Sequence, residues 1–274
     1  MAVARPQGRR TGRLAPSPHD PAIPHWSALK AMRGVVQPPI PEALSWRRGM
    51  PAFLGAMGNA PGPDNPELPV VGDCTNAGAG HLQQVWTFNA GGRMVTRPAM
   101  SVIQGYSESC GYVLGDPATD NGGLLTTVLK YWMTTGMPNA DGTRETILGF
   151  FRVDPRQPED VRRVIAECGG FYGGALIPAS WSEVEQGQAW QADGPGVEGH
   201  CITGFGYNPE TILCHSWGFD IPTADDVFTR YFDELYAVVS AEWIEKTGKT
   251  PFGMTLSALN ASLDQLQRAV AAGG

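Results

Sequence analysis

Eight prolines fall between Pro6 and Pro41, and they deny the first 45 residues a long helix or a central strand. Extended polyproline geometry is the expectation for this arm. It opens on the basic cluster Arg9, Arg10 and Arg13, which is expected to stay exposed. Trp26, Leu29, Met32, Val35 and Val36 interrupt the pattern and predict contact with the core or with a neighbour. Over the whole chain, 35 glycines and 23 prolines make up about a fifth of the 274 residues, with no three-residue glycine period. That composition implies a loop-rich fold with many turns and excludes collagen.

The remaining composition bounds the function. Hydrophobic residues at 42% and charged residues at 17% give a globular balance with one large core and extensions. The net charge of -7 carries no nucleic-acid footprint. No apolar run approaches the roughly 20 residues of a membrane span, so no membrane partner is expected. The five cysteines, Cys74, Cys110, Cys168, Cys201 and Cys214, form no CxxC pair, so no metal and no cofactor is expected. No apolar stretch follows the basic start, which argues against a signal peptide. Free thiols in a reducing compartment, cytoplasmic or within a phage virion, are the expectation.

Periodicity places the main elements. Leu82, Val85 and Trp86 form one stripe of a helix over 74–88, with Asp73 at the N-cap position and Gly91-Gly92 as the stop. A second helix fits 121–135 on Leu124, Val128, Tyr131 and Trp132. A third fits 158–168 on Val161, Val164 and Ile165, followed by a buried strand over 171–178. Residues 200–218 read as a hairpin turning at Tyr207-Asn208-Pro209-Glu210. Residues 228–244 read as a short helix followed by a strand. Leu256, Leu259, Leu263, Leu266 and Val270 form a heptad stripe, suited to docking on the core or to a homo-oligomer through a C-terminal helix. The predicted organisation is an arm over 1–45, a core over 46–250 and an amphipathic helix over 251–274.

Two residues carry candidate chemistry. A cysteine in the first turn of a helix, Cys74, lies at the positive end of the helix dipole, which favours the nucleophilic thiolate. The neighbouring N–H groups can hold an oxyanion. His200 follows a glycine-rich turn and opens a strand, where an imidazole can take the thiol proton and return it to a leaving group. If the hairpin turns at Tyr207-Asn208, residue 200 lies opposite His215, and a one-step slip moves His215 to the other face. Val70-Val71 ahead of Gly78-Ala79-Gly80 also suggests a dinucleotide loop, but the third glycine position holds Gln83.

GDCTNA at a helix start, DNGG before a helix, GHCITGFGYN and HSWG occur in that order over residues 65–240. This resembles the papain-like cysteine proteinases and, more closely, papain-fold proteins of phage and prophage origin. The resemblance implies an α+β papain-like fold. A helical half, with a central nucleophile-bearing helix, would pack on an antiparallel β-rich half. It implies Cys74 as nucleophile, His200 as general base and acid, and Trp217 as a shield over the imidazole. His215 stands where the family has asparagine. Leu68 stands where the family has the glutamine of the oxyanion hole, which leaves Cys74, Asn65 and Asn76 as candidate oxyanion donors. Asp120 replaces a disulfide cysteine of secreted members. The expected function is a thiol-dependent hydrolase acting on a peptide or amide substrate. The alternative is a catalytically weakened structural or binding protein with a protein partner, such as a virion component.

Overall fold

In the computed structural model, residues 8–28, 39–62 and 69–249 are described, together with Ser257, Asn260 and Ala261. Asn65, Leu68, the apolar run Leu29–Val36 and the heptad stripe of the tail lie outside the described residues.

The elements follow in chain order. Strand β1 (Leu44–Ser45) precedes α1 (Cys74–Gly91), α2 (Ala99–Cys110) and α3 (Leu125–Thr134). Short strands β2 (Met137–Pro138) and β3 (Arg144–Glu145) pair with each other. Then come β4 (Ile147–Val153), α4 (Pro158–Cys168), β5 (Phe171–Ile177), β6 (Glu198–Tyr207), β7 (Thr211–Ser216), β8 (Phe219–Ala224), α5 (Asp225–Tyr231), β9 (Phe232–Ser240) and α6 (Ala241–Thr247). The long sheet runs β4-β9-β5-β6-β7-β8, every neighbour antiparallel, with β1 added to β6.

The sheet is covered on both faces, so β5 is buried almost throughout. On one face Leu82, Val85 and Trp86 of α1 meet Tyr172, Cys201, Phe205 and Val238. On the other, Val161, Val164 and Ile165 of α4 meet Phe171, Ile202, Phe228 and Ala237. The stripes of α1 and α4 lie where 3.6-residue periodicity puts them.

Three local expectations change. The Asp73 carboxylate makes no cap bond; its backbone carbonyl accepts the Asn76 and Ala77 N–H groups instead. The second helix begins at Leu125, because Gly123 is engaged in main-chain bonds to the N-terminal arm. Its buried stripe is therefore Leu125, Val128, Leu129 and Trp132. The arm's basic start is exposed only in part: the Arg10 side chain is 42% exposed, but Arg13 is buried. Helix α2 and strand β4 carry no strong periodic signal, and α6 ends what the sequence reads as a strand reaching residue 244.

Candidate active site

Cys74 is the first residue of α1 and is fully buried. Its sulfur accepts the backbone N–H of Cys201 on β6 at 3.3 Å. This joins the helix end to the strand that begins the predicted GH motif. His200, one residue earlier, is also fully buried. Its Nε2 lies 2.6 Å from the Ser216 hydroxyl, and its Nδ1 has no hydrogen-bond partner among the described residues. Trp217 stacks on the imidazole with ring centroids 4.5 Å apart and planes 12° apart. The turn after β7 puts it there: Trp217 adopts φ 50° and Gly218 φ 93°. A tryptophan in the left-handed region is uncommon and marks a constrained position.

His215 does not orient His200. The observed register pairs Thr203 with His215 and shifts between Gly204 and Gly206. Three residues, Asn208 to Glu210, link the strands, held by Asn208 Oδ1 accepting the Glu210 and Thr211 N–H groups. The longer turn and the irregularity move His215 three places along β6, an odd step that reverses its face. Its Nδ1 instead lies 2.7 Å from Asp220 Oδ1, and its ring meets His81 edge-on at 4.6 Å. Ser216, and not His215, lies beside the His200 imidazole. Asn76 is also committed elsewhere, its amide donating to Ser109 and Thr75 hydroxyls.

The electrostatics reverse one expectation. Burial pushes the Cys74 thiol up to about 12, aided by the neighbouring Asp73 and opposed by the Cys201 and Gly12 N–H groups and by Arg13. Desolvation thus outweighs the helix end. Burial, then Arg13, pushes His200 down to about 3. Thiol and imidazole are both neutral in this state. Asp73 is raised well above the carboxylate range by its burial and by Asp120, and neither carboxyl oxygen has a partner among the described residues.

The N-terminal arm runs through the cleft beside Cys74 and His200. Arg10 N–H donates to the Asn59 carbonyl at 2.8 Å, and Trp217 Nε1–H donates to the Arg10 carbonyl at 3.2 Å. Gly123 N–H donates to Gly12 O at 2.7 Å and Leu14 N–H donates back to Gly123 O at 3.0 Å, a parallel bridge. On the opposite wall Arg13 N–H donates to Gly199 O at 3.0 Å. Gly12 lies near enough to the Cys74 sulfur for its N–H to favour the thiolate slightly. Only glycine fits there, since a methyl at Gly12 would run into the Gly72 carbonyl. A cavity of about 490 Å³ opens beside this strand, lined by Asp120, Gly122, Glu198 and Gly199 among others. No group of three or more His, Cys, Asp or Glu side chains is placed to hold a metal among the described residues.

No family model matches the chain, and no curated protein matches it. Solved structures do. Xylellain, a cysteine protease from Xylella fastidiosa, superposes with TM-score 0.61 over 88% of this chain and 100% of its own, at 12% identity. The Carica candamarcensis cysteine protease CMS1MS2, in complex with E-64, gives 0.54 over 73% and 99%, at 14% identity. The ragweed pollen allergen Amb a 11, a cysteine protease in its proform, gives 0.55 over 80% and 76%, at 16% identity. The fold is papain-like, α+β.

Proposed function

We propose that the chain is a thiol-dependent hydrolase of peptide or amide bonds, with Cys74 as nucleophile and His200 as general base and acid. One observation carries the reading: the sulfur at the N-terminus of α1 is bonded to the backbone of the residue that follows a buried, Trp217-covered imidazole. In the reaction, His200 Nδ1 takes the thiol proton as sulfur attacks the carbonyl carbon. In this reading Ser216 holds the ring through Nε2 and leaves Nδ1, which has no other partner among the described residues, for the thiol proton. The Cys74 backbone N–H supplies an oxyanion donor at the helix end. The proton passes to the leaving amine, and water activated by the same imidazole hydrolyses the thioester.

Such chemistry requires the arm to leave, because Gly12 and Arg13 are bonded to the Gly123 and Gly199 walls and bridge the cleft. This closed arrangement, with thiol and imidazole both neutral, favours a second reading. In that reading the chain is a non-hydrolytic structural or binding protein, including a phage virion component. Full-length protein and its Gly12→Ala variant, treated with a peptidyl acyloxymethyl ketone and analysed by intact mass, separate the two. The hydrolase reading expects an adduct at Cys74 that disappears in Cys74→Ala. No adduct at Cys74 in either protein would overturn the hydrolase reading.

A further inference from the structure

We propose that the cleft beside Cys74 contains a pocket for a cationic side chain of the substrate, and that the arm keeps the cleft closed by filling that pocket with Arg13. The proposal rests on the hydrolase reading for the word substrate; the pocket itself is read from the occupant it now holds.

The Arg13 side chain is 1% exposed. Its Nη2 lies 2.5 Å from Asp233 Oδ1 and 3.3 Å from Glu234 Oε2. Glu234 is equally buried and is fixed from two sides, by the Tyr236 hydroxyl at 2.6 Å on Oε1 and the Ser17 N–H at 3.2 Å on Oε2. Gly174 is the floor: a methyl there would overlap the guanidinium of Arg13. Sheet register locates the pocket relative to the sulfur. Gly174 pairs with Cys201 on one side and with Glu234 on the other. Glu234 therefore lies two strand spacings, about 10 Å, from Cys201, whose N–H holds the Cys74 sulfur. A side chain one residue from the group at the sulfur reaches it, as Arg13 does from Gly12.

The backbone and the side chain of Arg13 do separate things. Its N–H is held by Gly199 and the chain around it by Gly123, contacts that any residue could make. The guanidinium is therefore not required to thread the arm; it answers the two carboxylates. Emptied, the pocket leaves Glu234 and Asp233 without that cation. Of the other arginines on this side, Arg152 is directed at the Tyr236 hydroxyl, and Arg156 lines an adjoining cavity with Asp233 and Glu234. A buried carboxylate without a counter-charge is costly, so the pocket selects an incoming arginine or lysine over an apolar or acidic side chain.

Two measurements on the full-length chain test this. Arg13→Ala should melt several degrees below the native protein. Butylguanidinium should restore part of the loss, its neutral isostere butylurea should not, and the native protein should respond to neither. The response should vanish in Arg13→Ala/Glu234→Gln. An equal response to both compounds, no response, or a response that survives the loss of Glu234 overturns the pocket. Where Arg13→Ala does not fold, the Gly12→Ala variant serves. Its Cys74 should be labelled at least about tenfold faster by an arginyl than by a leucyl acyloxymethyl ketone, and an equal or inverted ratio overturns the proposal. If neither ketone labels Cys74, the hydrolase reading fails while the butylguanidinium result still decides the pocket.

Discussion

His200 Nε2 and the Ser216 hydroxyl lie 2.6 Å apart, one residue from a histidine that faces the opposite side of the sheet. A hydroxyl can hold an imidazole in place because it donates or accepts as the tautomer requires. It also leaves His215 free for a different task, bonding Asp220, which in turn binds Arg47 on β1's flank. The two neighbours therefore make opposite predictions.

Ser216→Ala should lower kcat about tenfold with KM little changed, because it releases the ring without touching the cleft. His215→Ala should leave kcat within a few-fold but lower stability by about 2–4 kcal/mol, since it opens a cavity and strips a partner from Asp220. Kinetics of both variants with a peptide amide substrate, alongside urea unfolding, check the pair. A larger kcat loss in His215→Ala would reverse the assignment.

Thiol labelling should report the arm. Of the five free cysteines only Cys110 is partly exposed, so it should alkylate first in the native protein. Cys74 should lag, buried and raised to about 12. In Gly12→Ala, where a methyl cannot pass the Gly72 carbonyl, Cys74 should become the fastest site as its burial is relieved. Peptide mapping after timed iodoacetamide treatment gives the order.

Acid should destabilise the closed fold above the range where carboxylates titrate. His200, His81 and His215 are all held below the ordinary histidine value, burial being the first cause in each. Each is neutral when folded and charged when unfolded below about pH 6.5, so the unfolded chain binds more protons and stability falls as pH drops. For His200 alone, moved to about 3, the loss reaches about 3 kcal/mol by pH 4. Unfolding curves at pH 7, 5.5 and 4 should show the trend, and His200→Gln should flatten it.

Asp73 works in the opposite direction. Its raised value means the fold keeps it protonated, so its contribution falls as pH climbs above about 3.8. Asp73→Asn keeps the shape and removes the ionisable proton. It should raise stability at pH 7.5 by about 1–2 kcal/mol, with little change at pH 4. A destabilised Asp73→Asn at pH 7.5 would show that the carboxylate itself has a role at the site.

Local chemistry written along the chain determined much of this protein. The apolar spacing of Leu82, Val85 and Trp86 fixed α1 with Cys74 at its start, because a helix can bury only one such stripe. Pro158, the stripe on Val161 and Val164, and the glycines after Cys168 fixed α4 and the start of β5. The order of the four motifs was enough to indicate the papain-like fold. What tertiary structure decided were the relationships that depend on register and on distant segments. The partner of His200 turned on a three-residue difference in strand pairing, which no local preference sets. The protonation of Cys74 turned on burial beneath residues about sixty positions upstream, since desolvation depends on what lies overhead and not on the helix end alone. Arg13, read from its basic neighbours as a solvated charge, is buried because Asp233 and Glu234, some 220 residues later, are brought beneath it by β9. Charge and proline content describe a segment; only the assembled sheet supplies the carboxylates that draw it in.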